Sequence, residues 1–147
     1  MELVLHNFRG HSSLCQSFSD GFTRLNGKVA AGKTTLLDSI QWALYGGSNY
    51  APRVWQGGPL HPKIAQLGKF PSKATIVLLT IIDNQDTLYI LRQANPAALY
   101  VWQDNQPFDH AIRDGVAQCL IETRFGSELL WQACSYSIQG EYHPLLI

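Results

Sequence analysis

Gly27-Lys28-Val29-Ala30-Ala31-Gly32-Lys33-Thr34, running straight into Thr35-Leu36-Leu37-Asp38-Ser39-Ile40-Gln41-Trp42-Ala43-Leu44-Tyr45, is the stretch on which the fold turns. Its first eight residues fit G-x-x-x-x-G-K-[ST]. In the continuation Leu36, Leu37, Ile40, Ala43 and Leu44 recur at helical spacing, with Thr35, Asp38 and Gln41 between them, so a helix is expected from Lys33 to Tyr45. Gly46–Gly47 follows where a helix C-cap belongs. Ahead of the motif, Phe22–Asn26 reads as a short strand. That order of strand, glycine-containing loop and helix has a chemical use. Phosphate oxygens need several backbone N–H donors converging on a concavity, and the first turn of a helix leaves its N–H groups unpaired. The helix dipole adds positive potential there. Lys33 supplies a compact cation for the β- and γ-phosphates, and the Thr34 hydroxyl is a hard oxygen ligand for magnesium. Gly27, Lys28, Val29, Ala30, Ala31, Gly32, Lys33, Thr34 and Thr35 therefore form the candidate nucleotide-binding set, with a nucleoside triphosphate and magnesium as the expected ligands. The fold class expected is α/β, of the P-loop NTPase kind, with a mixed or antiparallel sheet packed around the P-loop helix.

Working outward, Glu2–Phe8 alternates, with Leu3 and Leu5 against Val4 and His6, and reads as an opening strand. Ser12–Phe18 is a second candidate, with Leu14, Gln16 and Phe18 on one face and Cys15 and Ser17 on the other. Ser48–Ser72 is rich in glycine and proline without a clean period, so a long surface excursion is expected. Ala74–Asp83, Thr87–Arg92 and Leu99–Gln103 are β-rich runs joined by turn signals, which predicts an antiparallel meander. After Pro107 the helical period returns: Ile112, Val116, Cys119 and Leu120 fit one face of a helix reaching about Arg124, although Gly115 weakens it. Ser127 suits the N-cap of a helix over Glu128–Cys134. Ser135–Tyr142 reads as a strand or loop carrying Gln139–Gly140.

At 147 residues, 46% hydrophobic and 15% charged, the chain has the make-up of one compact domain able to bury a core. Eleven basic residues balance eleven acidic ones, so net charge does not call for a polyanionic partner, and any nucleic-acid contact would have to be a local patch. Cys15, Cys119 and Cys134 are too widely spaced for a zinc site or a disulfide framework, and buried thiols in a reducing compartment are expected. MELVLHNFRGHSS is not a signal peptide, and no apolar run approaches the roughly 20 residues of a membrane span. A soluble protein without membrane partners is expected, cytoplasmic or nucleoid-associated.

The residues around the motif carry a resemblance. Leu3-Val4-Leu5-His6-Asn7-Phe8-Arg9-Gly10-His11, then Phe18-Ser19-Asp20-Gly21, then the P-loop with Leu36-Leu37-Asp38-Ser39-Ile40 and Ala43-Leu44-Tyr45-Gly46, is similar to the opening of the SMC (structural maintenance of chromosomes) and SbcC-type ATPases. Ser137-Ile138-Gln139-Gly140-Glu141-Tyr142 resembles the Q-loop segment of the SbcC-type repair ATPases. The resemblance implies that residues 1–147 form the N-terminal lobe of an ABC-type ATPase head. It implies that Lys33 holds the phosphates, that Thr34 binds magnesium, and that Gln139 completes the magnesium shell and helps place the attacking water. Lys33 and Gln139 are thus the catalytic candidates, and Arg9 would touch the nucleotide from the loop after the first strand. The implied partners are the C-terminal lobe of the same head, a second head, a nuclease subunit and double-stranded DNA. The implied activity is the ATP-binding half of a DNA double-strand-break repair ATPase that gates a nuclease. An SMC-like clamp that entraps DNA, or a nucleotide-binding module without turnover, are the rivals.

Two departures bear on that choice. Val29-Ala30 stands where the family usually has Asn-Gly; if the position needs positive φ, alanine costs roughly 1–2 kcal/mol. Gly10 replaces the family's usual serine. The chain also has no LSGG-like signature, no long heptad run and no apolar run closed by Asp-Glu; Asp83 reads as a turn residue opening Asn84–Gln85. Because the sequence stops where the family would enter its coiled coil, a fragment, a truncated product or one piece of a split head is expected, which by itself would bind nucleotide weakly at best and hydrolyse almost nothing. Arg53, Trp55, Lys63, Lys69, Phe70 and Lys73 mix cations with aromatics and could follow a DNA backbone, though aromatics that pin the excursion to the domain are the plainer expectation. The five histidines (His6, His11, His61, His110, His143) lack metal-ligand spacing. Trp42, Trp102 and Trp131 are expected to pack rather than to stack on a ligand.

Overall fold

The structure, a computed structural model, describes residues 1–21, 23, 24, 26, 33–47, 58–84 and 86–135, with the backbone alone at 33, 34, 134 and 135. Its centre is a sheet of six strands: β1 (Glu2–Phe8), β2 (His11–Ser17), β3 (Thr75–Asp83), β4 (Asp86–Ala94), β5 (Ala98–Gln103) and β6 (Ile112–Arg113), in the order β2-β1-β3-β4-β5-β6. Every pairing is antiparallel, so of the two sheet types expected only the antiparallel one is realised among the described residues. The meander from Thr75 to Gln103 forms as expected: β3 starts one residue later than the expected run, β4 is longer by three residues and β5 by one. Asn84, at φ 50°, makes the β3–β4 turn, and Asp83 closes β3 opposite Asp86, as a turn residue should.

The helices are α1 (Lys33–Tyr45), α2 (Pro62–Ala65), α3 (Asp114–Phe125) and α4 (Glu128–Ser135). Helix α1 matches its expected bounds, and Gly46 takes φ +72° just past it and donates its N–H to the Trp42 carbonyl at 2.8 Å. Helix α1 lies on one face of the sheet, where Leu3, Leu5, Val77, Leu79, Ile90 and Val101 meet Trp42, Ala43 and Leu44, with Ala117 and Ile121 of α3 beside them. The other face is covered by the 58–74 segment. Ile64, fully buried, plugs onto Val4, Ile76, Leu78, Leu91 and Trp102. Helix α2 interrupts what reads in sequence as an unstructured excursion. Pro62 pre-sets its first turn, and His61 Nδ1 accepts the Lys63 N–H at 3.2 Å. Burial on both faces explains why β1 and β3 are apolar on both sides rather than alternating cleanly.

Four sequence expectations are corrected. Thr23, Arg24 and Asn26 are not in a strand, so the strand proposed over Phe22–Asn26 is not formed at its described residues. Helix α3 turns the opposite face inward: Ala117 and Ile121 are buried, whereas Val116 is 69% and Leu120 39% exposed and Cys119 is also exposed. Ala117 and Ile121 pack in the α1 core, and beside them the Gln118 amide reaches the C-terminal end of α1. Cys15 is exposed too, on the solvent side of edge strand β2, so these two thiols are not buried. Finally, Asp38 and Gln41 of α1, read as lying between the core positions, are 6% and 1% exposed, while Leu37 is 44% exposed. The helix is hemmed in by the β1–β2 turn and by α4 as well as by the sheet. Ser127 caps α4 as expected, its Oγ accepting the Leu130 N–H at 3.2 Å, worth about 1 kcal/mol.

Candidate functional site

The site is built on α1, and the end of β1 supplies its second wall. Two non-glycine residues there, Asn7 at φ 52° and Arg9 at φ 49°, are left-handed. Each such step costs roughly 1–2 kcal/mol, somewhat less for asparagine. Asn7 is held by its surroundings: its side-chain amide donates to the Lys73 carbonyl at 3.3 Å and its own carbonyl accepts the Thr75 hydroxyl at 2.8 Å. The consequence falls on Phe8. By strict alternation Phe8 would follow Val4 to the α2 side, but after the Asn7 step it packs in the α1 core, its ring 5.7 Å from Trp42. The chain then turns through Arg9–Gly10 into β2, and the Arg9 guanidinium is brought onto α1, where Nη1 donates to Asp38 Oδ2. Asp38 lies five residues, or roughly 7.5 Å of rise, from Lys33 at the head of the helix. Arg9 therefore stands beside the first turns of α1.

The far end of α1 is gripped by a different arginine. Arg92 of β4 donates from Nε to the Ala43 carbonyl at 3.0 Å and from Nη2 to the Leu44 carbonyl at 3.1 Å and Gln118 Oε1 at 2.6 Å. Gln118 Nε2 donates to the same Leu44 carbonyl at 3.0 Å. Burial lowers the Arg92 pKa to about 10, which leaves it a cation at neutral pH. A cation on the last carbonyls complements the negative pole of the helix. Gly46 is glycine partly because a Cβ there would stand 3.0 Å from Arg92 Nη1 in a left-handed backbone. On its flank α1 holds α4: Gln41 Nε2 donates to Glu128 Oε1 at 3.1 Å, the Tyr45 hydroxyl to the Gly126 carbonyl at 2.9 Å, and the Tyr45 ring lies 6.0 Å from Trp131. Gln41 Oε1 is buried and has no partner among the described residues.

Of the candidates from sequence, Gly27, Lys28, Val29, Ala30, Ala31, Gly32 and Gln139 lie outside the described residues. Lys33 and Thr34 are the first two residues of α1, and Thr35, half-buried, is the third. Arg9 is brought to the helix that these residues open. Sequence reasoning missed Asp38, Arg92 and Gln118. A carboxylate within the helix with an arginine before it in the chain was the available sign for Asp38; nothing local marks Arg92, whose partners come from other elements.

The three tryptophans resolve into packing. Trp42 meets Phe8, Trp102 stacks on Tyr89 at 5.2 Å, and Trp131 meets Tyr45. In the cation–aromatic stretch, Arg53 and Trp55 lie outside the described residues, Phe70 packs on Phe108 at 5.8 Å, and Lys63 pairs with Glu2. Phe70 thus pins the segment, as the plainer expectation had it. Among the described residues no three of His, Cys, Asp and Glu come together to hold a metal ion, and no helix is long and apolar enough to cross a membrane. His6, fully buried, binds the Ser72 carbonyl through Nε2 at 2.8 Å.

A family model described as an AAA domain matches residues 2–97, which run from β1 through α1 to the turn after β4. No curated protein matches the chain.

Proposed function

The chain belongs to the AAA-domain family of P-loop ATPases, and on that premise we propose that it is the nucleotide-binding N-terminal lobe of an SbcC-like DNA-repair ATPase head. The observation that carries this reading is the placement of Arg9. A left-handed turn at the end of β1 holds it against the very helix that Lys33 and Thr34 open. The helix itself suits a polyphosphate, with no acidic residue in its first turn to oppose one. When bound, ATP–magnesium supplies the phosphoryl group and the counter-charge for its transfer. The P-loop from Gly27 to Gly32, with Lys33 and Thr35, would hold the phosphates; Arg9 would reach them from the side; Thr34 and Gln139 would hold the magnesium. In this reading the lobe works with a C-terminal lobe, a second head, double-stranded DNA and a nuclease subunit, in the cytoplasm or on the nucleoid. The resemblance of Ser137–Tyr142 to the Q-loop segment of SbcC-type sequences supports the repair assignment over an SMC-like clamp.

The test is made on the complete ATPase together with its nuclease partner. ATP-dependent cutting at DNA ends, lost with Lys33→Ala, is the expected result. ATP turnover with DNA entrapment but no associated nuclease would move the assignment to the clamp. Val29-Ala30 favours a second reading, a module that binds without turning over; tight ATP binding with no hydrolysis, restored by Val29→Asn with Ala30→Gly, would establish it.

A further inference from the structure

We propose that Asp38 is a positioning residue for Arg9, fixing the guanidinium where a bound nucleotide's phosphates can be shared with it; this rests on the nucleotide-binding reading above. Asp38 is a carboxylate in the middle of a packed helix, its side chain only 8% exposed. A buried carboxylate persists where it has a charged, hydrogen-bonded partner, and Arg9, 27% exposed, is that partner. The pair spans 29 positions of sequence and joins the β1–β2 turn to α1. The arginine is restrained from three directions. Its own backbone is left-handed, its guanidinium carbon lies 5.9 Å from the centre of the Phe8 ring, and its Nη1 is on Asp38. Phe8 is in turn fixed on Trp42 of the same helix.

A guanidinium carries five donors in a planar fork, so it can serve a carboxylate on one edge and a phosphate on another. Side-chain torsions already fixed by Asp38 do not have to be fixed again when the anion arrives. A pair whose role was only to close the β1–β2 turn would affect stability and leave nucleotide affinity alone. The two roles separate in binding measurements.

The probe is a fluorescent ribose-modified ATP with magnesium, titrated into the full chain, with thermal unfolding followed on each variant. Arg9→Ala and Asp38→Asn are each expected to weaken binding about tenfold, as loss of one charge-assisted contact would. The double variant is expected to be no weaker than either single one, because the two side chains act as a unit. Asp38→Glu should recover part of the loss. Arg9→Lys, which keeps the charge and most of the fold but not the fork, should bind like Arg9→Ala. Wild-type or tighter affinity in Asp38→Asn, or losses that add in full, would overturn the proposal while nucleotide binding stands. If the wild type binds no better than Lys33→Ala, the nucleotide reading falls and takes this inference with it.

Discussion

The two ends of helix α1 are treated in opposite ways. At the C-terminal end the protein answers its own helix: the Ala43 and Leu44 carbonyls take donors from Arg92 and Gln118, and the Trp42 carbonyl takes the Gly46 N–H. The charge that does this is costly to bury, which is why its pKa falls to about 10, and it is retained nonetheless. At the N-terminal end the first turn holds no acidic residue, and between Gly27 and Leu37 the sequence has no Asp or Glu at all. The first carboxylate, Asp38, is occupied by Arg9. An ordinary helix start favours Asp, Glu, Ser or Thr as internal partners for its positive pole. Here the negative pole is neutralised from within and the positive pole carries lysine instead. That asymmetry fits an anion that comes from outside.

The largest break in the comparison should come from its closed end. Arg92→Met takes donors from two helix carbonyls and from Gln118, and is expected to cost about 3 kcal/mol, a fall in Tm on the order of 10 °C. Thermal denaturation followed by circular dichroism checks it; an unchanged Tm would mean that water replaces the guanidinium without penalty. A smaller, two-signed effect is expected at the open end. Thr35→Asp places a carboxylate in the first turn, which should raise folding stability by about 0.5 kcal/mol through the helix dipole while weakening ATP–magnesium binding about tenfold. Stability and affinity moving in the same direction would contradict the asymmetry.

The smallest effect concerns the tyrosine at the closed end. Burial, then repulsion from Glu122 and Glu128, raises the Tyr45 pKa above its ordinary 10.0. Because the folded value exceeds the unfolded one, this contribution is present in full below pH 10 and is lost as pH rises through the folded value. Denaturant midpoints should therefore decline above pH 10 in the wild type and decline less in Tyr45→Phe. Tyr89, raised by burial and by its bond to Asp104, adds to the same decline and serves as the internal reference.

How far the molecule was legible in its sequence follows the range of the interactions. Helix α1, the meander from Thr75 to Gln103 and the Ser127 cap are written in local periodicity and end signals, and they form where those signals lie. The inward face of α3 is not, because its partners are distant in sequence: Ala117 and Ile121 pack on the α1 core, and Gln118 reaches a carbonyl 74 positions earlier in the chain. Asp38 and Gln41 looked like solvent-side residues because their partners, Arg9 and Glu128, belong to other elements. Helix α2 was hidden by the glycine and proline around it. The candidate site was legible at its helix and in Arg9. Its clamp at the other end was not, since β4 delivers Arg92 only once the sheet has formed.

The most direct measurement is calorimetric titration of ATP–magnesium into the wild-type chain and into Lys33→Ala. Saturable binding by the wild type, weakened about 10- to 100-fold by loss of the one lysine, is the predicted result. Identical isotherms for the two proteins, or no heat from either, would contradict an anion site at the head of α1.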